Sequence, residues 1–380
     1  MQPKICYVST IAWPLEVFMA PHILNVSRKS HITLVTSDSS NLNVSKFGEG
    51  VRLVNIQILR NISIYFDILA LVNLWNFFRT SEFKCVHSIT PKGGLISMLA
   101  ARLSGVPIRL HTFTGQVWLT RKGSIRILLK AMDKLTAKLA THLLVDSPSQ
   151  RDFLISSGIV ASDKIEVLGE GSISGVNIDR FAPNKSARDN LRGSLNISAT
   201  DIVFVFIGRL CRDKGVDDLI EAFSQISPRA AHFHLLLIGP DEGGYDEFIS
   251  NMNKDVIKKI FRFDFTATPE IYMAAADIIC LPSYREGFGN VLIEASSVGI
   301  PAIASRIYGI TDAIVDGVTG CLHEAGEISA IVNLMFNLAS NNQLRLTMGA
   351  AARNRAILLF SQEHVTSKFE NFYQRCGVFG

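Results

Sequence analysis

The sequence predicts an α/β protein made of two doubly wound domains, each built on a parallel sheet. Two observations carry that expectation. Short apolar, β-branched runs alternate with helical patterns in both halves of the chain, as parallel strands covered on both faces do. A polar stretch, residues 175–201, separates the two series; it holds Pro183 and no strand-like run. With 380 residues the chain is also long for one core, so two domains are the default.

In the first half, strands are expected within 4–10, 31–37, 51–58, 85–89, 107–113 and 142–147, and in the second within 201–208, 232–239, 277–283 and 301–305. The tract Ile62–Phe78, ISIYFDILALVNLWNFF, contains Asp67, Asn73 and Asn76 and is short for a membrane span. It predicts a largely buried helix, with an interfacial membrane helix as the alternative. The final segment, 361–376, predicts a helix with Val365, Phe369, Phe372 and Tyr373 on one stripe. Sheets of this kind bind ligands in a crevice outside the carboxyl ends of their strands.

Apolar residues make up 48% of the chain and charged ones 19%, the balance of a globular protein. Six cysteines, at 6, 85, 211, 280, 321 and 376, follow no metal or disulfide spacing and read as reduced thiols. The start, MQPKICYVST, lacks the pattern of a secretory signal, so a cytoplasmic location is expected. The net charge of +4 divides unevenly. Residues 1–180 hold 20 Lys+Arg against 12 Asp+Glu, and residues 181–380 hold 18 against 22. A basic first half suggests an anionic partner, such as phosphates or an acidic membrane surface. Arg121, Lys122, Arg126, Lys130, Lys134 and Lys138 line up largely four apart, a stripe suited to lipid headgroups or to plain solvation. That stripe has no exposed aromatics between its cations, so nucleic acid is not an expected partner.

Two stretches of the second half carry chemistry. In FIGRLCRDKGVDDLIEAF (206–223) a strand ends at Gly208, Arg209 and Lys214 bracket a turn, and a helix begins near Val216. Two cations beside helix N-terminal amides make a site for a phosphate or diphosphate. No G-x-G-x-x-G fingerprint or P-loop is present. In REGFGNVLIEA (285–295), Gly287 and Gly289 stand where a strand hands over to a helix beginning near Asn290. Glycines there let backbone N–H groups approach a ligand. Glu286 and Glu294 flank that loop. As a glycosidase pair they would have to straddle a scissile bond; on either side of a phosphate loop they suit acceptors for the hydroxyls of a sugar and a ribose.

Together, GRLCRDKGVDDLIEAF, PSYREGFGNVLIEASSVGIPAIAS and GVNIDRFAP resemble the retaining, metal-independent glycosyltransferases of family 4, which have the GT-B fold. The resemblance implies two Rossmann-like domains facing across a cleft. An acceptor-binding domain would span 1–180 and a nucleotide-sugar-binding domain 181–360, with a C-terminal helix, 361–380, crossing back to the first. Arg209 and Lys214 match the pair that neutralises the leaving diphosphate, Glu286 the residue that meets the donor sugar, and Glu294 the ribose-binding glutamate. The backbone at Phe288 and Gly289 matches amides touching sugar and phosphate, with Gly208, Gly239, Gly287, Asn290 and Val291 around them. Phe265 lies in the loop that would line the base.

His111 matches a histidine that the family places near the donor sugar. The series TPKGGL, HTFTGQVW and TRKG is similar to a narrower subgroup acting on undecaprenyl-pyrophosphate-linked glycans, which implies Lys92, Gly93 and Thr114 on the acceptor side. The loop STIAWPLEVF departs from the Gly-Gly pattern found there in many members. The implied reaction moves a hexose or N-acetylhexosamine, N-acetylgalactosamine among the candidates, from a UDP-sugar to a polyprenyl-pyrophosphate-linked saccharide. It would run at the inner face of the cytoplasmic membrane with no metal or other cofactor, for O-antigen, capsule or glycoprotein glycans. A UDP-sugar 2-epimerase and a non-catalytic sugar-nucleotide-binding subunit are the alternatives.

Overall fold

The structure, a computed structural model, describes residues 2–230 and 232–379. The chain divides into two compact units, one running up to Gly175 and joined by the segment from Gln362 onward, the other Val176–Ser361. The division therefore falls five residues earlier than the residue 180 expected from sequence.

The first unit is a parallel sheet of β1 (Lys4–Val8), β2 (His31–Thr36), β3 (Arg52–Asn55), β4 (Cys85–Ser88), β5 (Ile108–Phe113), β6 (His142–Val145) and β7 (Ile165–Val167), in the order β3-β2-β1-β4-β5-β6-β7. The second holds β8 (Ile202–Ile207), β9 (Phe233–Ile238), β10 (Ile260–Phe263), β11 (Ile278–Leu281), β12 (Ala302–Ser305) and β13 (Gly320–His323), in the order β10-β9-β8-β11-β12-β13. Each sheet reverses its winding once, between β1 and β4 and between β8 and β11. Those reversals are where the carboxyl ends of doubly wound sheets open a crevice for ligands. The apolar runs are buried as expected except in β3, which has no buried residue: all of β11 and β12 is buried, and so is every residue of β8 except its last.

Three expectations are corrected. β7, β10 and β13 were not foreseen; all three are edge strands of three or four residues. Residues 175–201 are not merely a linker but contain the helix Lys185–Ser194, whose Asn184 side chain caps Ala187. Arg188 and Arg192 on that helix reach the two oxygens of Asp277 at 2.7 and 2.6 Å, fastening it beside β11. The third correction concerns the tract at 62–78. It forms the helix Ile64–Ser81, of which only Ala70, Leu74 and Phe78 are buried. Those three are spaced by four, one narrow stripe, and the first turns leave Ile64, Tyr65 and Ile68 largely in solvent.

The closing helix, Gln362–Arg375, completes the core of the first unit, burying Val365, Phe369, Phe372 and Tyr373. The His22 ring stacks on Phe369 at 4.4 Å, and His87 Nδ1 lies 2.7 Å from the Tyr373 hydroxyl. Burial lowers the pKa of both imidazoles, His22 to about 4 and His87 to about 3, so both are neutral at physiological pH. Among the described residues no helix is long and apolar enough to cross a membrane.

Candidate active site

The second unit's switch point gathers most of the expected donor residues. After β8 the chain turns through Gly208, Arg209 and Arg212–Lys214 into the helix Val216–Ile226, and after β11 it loops through Pro282–Gly289 into the helix Asn290–Val298. Four contacts knit these loops together. The Tyr284 N–H donates to the Asp213 carbonyl at 2.9 Å, Arg285 pairs with Asp213 at 3.1 Å, and the Tyr284 hydroxyl donates to Asp218 at 2.8 Å. The fourth is the pair Lys214 Nζ–Glu286 Oε1, at 2.5 Å and only slightly exposed. Ser283 also donates to Glu286 Oε1, at 2.9 Å.

The two cations are each held by a carboxylate: Lys214 by Glu286, and the half-exposed Arg209 by Glu242 at 2.5 Å. The Phe288 side chain turns inward against Phe360, ring centroids 5.4 Å apart, so its backbone is the part left for a ligand. Gly289, Asn290 and Val291 form the first turn of the following helix, whose amides supply positive potential. At the neighbouring edge, Gly239 has φ +138° and a Cβ there would lie 1.9 Å from the Gly208 carbonyl oxygen. Only glycine permits that approach of the β8 and β9 ends. Phe265, after β10, is largely exposed.

Glu294 sits one turn into the helix Asn290–Val298, half-buried, and burial pushes its carboxyl up to about 7; the Arg180 charge opposes this shift and Glu270 adds to it. Arg180 itself holds Glu270 Oε2 at 3.0 and 2.8 Å. A carboxyl raised from 4.5 binds its proton more tightly in the folded state, so it costs stability that appears as pH rises through 4.5 and is complete above about 7. Glu294→Gln removes that cost. The variant is expected to melt no lower than wild type at pH 5 and ~2–6 °C higher at pH 8. Thermal scans at both pH values check this; lower melting at pH 8 would refute the stability argument.

In the first unit, His111 closes the inner face of β5 and is inaccessible. Its Nδ1 lies 2.8 Å from Ser88 Oγ, its ring meets Phe113 edge-on at 4.6 Å, and burial takes its pKa to about 3, leaving it neutral. Gly94 explains the second glycine of PKGG: a Cβ there would lie 2.4 Å from the His111 ring. Gly93 packs likewise on Thr10 and Thr90, whose hydroxyls are 2.8 Å apart and join the loops after β1 and β4. Lys92 is nearly buried and committed to Asp67 at 2.5 Å and to the Asn61 carbonyl, so its ammonium is not an open anion hook. Thr114 follows β5 and is half-buried. Sequence reasoning missed Ser283, Glu242 and the Tyr284–Asp218 bond. Only Ser283 carried a signal, its place three residues before Glu286 in PSYREG.

Comparisons with known proteins agree with this geometry. Residues 26–171 match the family described as "Glycosyl transferase 4-like domain", and residues 187–355 match "Glycosyl transferases group 1". The chain is 29% identical to the capsular polysaccharide biosynthesis glycosyltransferase CapM of Staphylococcus aureus, over 97% of this chain and 96% of that one. It is 27% identical to the UDP-Gal:alpha-D-GlcNAc-diphosphoundecaprenol alpha-1,3-galactosyltransferase of Escherichia coli, over 83% of this chain and 81% of that one. Among solved structures, sucrose-phosphate synthase from Thermosynechococcus elongatus superposes with a TM-score of 0.82 at 20% identity, covering 100% of both chains. Anabaena HepE in complex with UDP-glucose does so at 0.79 and 17% identity, covering 98% of this chain and 99% of that one. With both units matched in order, the chain belongs to the GT4-type glycosyltransferases of GT-B fold.

Proposed function

We propose that this glycosyltransferase moves a hexose or N-acetylhexosamine from a UDP-sugar to a polyprenyl-pyrophosphate-linked saccharide, with retention at the anomeric carbon and without a metal, in bacterial surface-glycan assembly. The observation that carries the reading is the Lys214–Glu286 pair at the switch point beside the glycine loop. Transfer builds negative charge on the departing diphosphate. In this reading Lys214, Arg209 and the first-turn amides of the helix Asn290–Val298 stabilise it, the role a metal would otherwise fill. Glu286 accepts from the sugar's hydroxyls and Glu294 from the ribose. The lipid-linked acceptor is supported by the Escherichia coli relative, whose name carries such an acceptor.

A donor screen tests the proposal. Purified protein is incubated with UDP-glucose, UDP-galactose, UDP-GlcNAc or UDP-GalNAc and a synthetic undecaprenyl-diphosphate sugar, and products are read by mass spectrometry. One hexose or N-acetylhexosamine should be added to the lipid in the presence of EDTA. No product from any donor, or UDP-sugar interconversion without acceptor, would sink it.

The proposal also places the first unit on the membrane surface. The helices Ile64–Ser81 and Gly123–Leu139 flank the helix Pro91–Leu103 in one layer. The first presents Ile64, Tyr65 and Ile68 to solvent; the second presents Ile127 with Arg126, Lys134 and Lys138. Apolar tips among cations suit an anionic bilayer surface. Flotation with vesicles containing phosphatidylglycerol should recover the wild type, and Ile64→Ser/Ile68→Ser should lower the bound fraction ~10-fold. Equal flotation of both proteins would place the contact elsewhere.

A further inference from the structure

Ser283 stands two residues beyond β11, with no accessible surface, and the family reading above gives it no task. Its Oγ and Lys214 Nζ both bind the same oxygen of Glu286, Oε1, at 2.9 and 2.5 Å. Among the described residues no hydrogen bond reaches the other oxygen, Oε2. A carboxylate facing a lone ammonium is free to swing both oxygens onto it. Two donors converging on one oxygen remove that freedom and leave the second oxygen to a ligand.

We propose that Ser283 is a positioning residue of the donor site, holding Glu286 by Oε1 so that Oε2 meets the donor sugar while Lys214 is shared with the diphosphate. The inference rests on the donor-site reading above. An arriving diphosphate draws Lys214 toward itself, and the ammonium's hold on Oε1 weakens as its three N–H groups are divided. The Ser283 hydroxyl is uncharged and fixed in the interior, so the arriving charge does not pull it away. Without it, Glu286 follows Lys214 into a closed pair. In following the ammonium, Glu286 turns Oε2 from the sugar, while Lys214 stays on the diphosphate.

The test uses the full chain as wild type, Ser283→Ala and Glu286→Gln. Each is titrated with UDP and with UDP-glucose, UDP-galactose, UDP-GlcNAc and UDP-GalNAc, and turnover is followed by UDP release. For Ser283→Ala, kcat should fall ~10- to 100-fold, as expected for losing a hydrogen bond to a charged group. UDP affinity should stay within ~3-fold of wild type, while the margin by which the preferred UDP-sugar outbinds UDP disappears. A merely structural role would instead lower UDP and UDP-sugar affinity in parallel, together with the melting temperature, and that outcome overturns the inference. So does unchanged turnover in Ser283→Ala when Glu286→Gln is inactive, which leaves the donor-site reading standing. Wild type that binds none of the five ligands overturns that reading and this inference with it.

Discussion

Glu286→Ala is expected to lower sugar transfer by ~100- to 1000-fold, the range seen when one fixed polar group is removed from a charge-stabilising site. The protein should remain folded, because Glu286 sits in a loop whose other ties, Tyr284 to Asp213 and Asp218 and Arg285 to Asp213, do not involve it. UDP affinity should hold or tighten, because the substitution frees Lys214 from its carboxylate partner. Steady-state turnover alongside UDP titration separates the two effects. Turnover within tenfold of wild type would remove Glu286 from the donor site, and a parallel collapse of UDP binding would assign it to scaffolding instead.

Gly239→Ala should act on structure and site at once. Its new Cβ would lie 1.9 Å from the Gly208 carbonyl oxygen, at a φ of +138° that side chains rarely adopt. The strand ends cannot absorb this quietly. The Gly239 N–H bonds Phe263, the Gly208 N–H bonds Ile238 and the Leu210 N–H bonds Pro240, so β8, β9 and β10 are tied together beyond their regular ladders. Strain of this kind costs roughly 2–4 kcal/mol, which lowers the melting temperature of a domain this size by about 5–12 °C. UDP affinity should fall with it, since Gly208 and Arg209 lie on the displaced segment. A calorimetric melt unchanged within two degrees would show that the neighbouring loops yield instead.

Much of this was readable in advance, and the failures have physical reasons. The runs that predicted β1, β2, β4 to β6, β8, β9, β11 and β12 are apolar because those strands are buried inside their units; β3 was found from its longer run although it is an edge strand with no buried residue. Edge strands escape that demand. β7 carries Glu166, β10 carries Arg262 and β13 ends in His323, and each has a sheet neighbour on one side only. The helix Ile64–Ser81 was misjudged because composition does not report depth: its apolar residues suffice for burial, yet only its stripe of Ala70, Leu74 and Phe78 is buried.

At the site, the cations and glutamates were visible because charge and spacing mark them. Lys92 was visible for the same reason, yet its partner Asp67 lies 25 residues away in sequence and no local pattern betrays the pairing. Ser283 was passed over because its one signal, a place three residues before Glu286, does not tell which carboxylate oxygen its hydroxyl faces.

The path of the chain through the first unit has a consequence for biosynthesis. That unit is interrupted at Gly175 by the whole of Val176–Ser361 and resumes only at Gln362. Its core lacks Phe369, Phe372 and Tyr373 until the segment from Gln362 has followed the whole of the second unit out of the ribosome. The second unit can therefore mature first although it is translated later. The nascent N-terminal sheet must meanwhile wait with His22, His87 and their apolar neighbours uncovered, a window in which chaperone capture competes with aggregation.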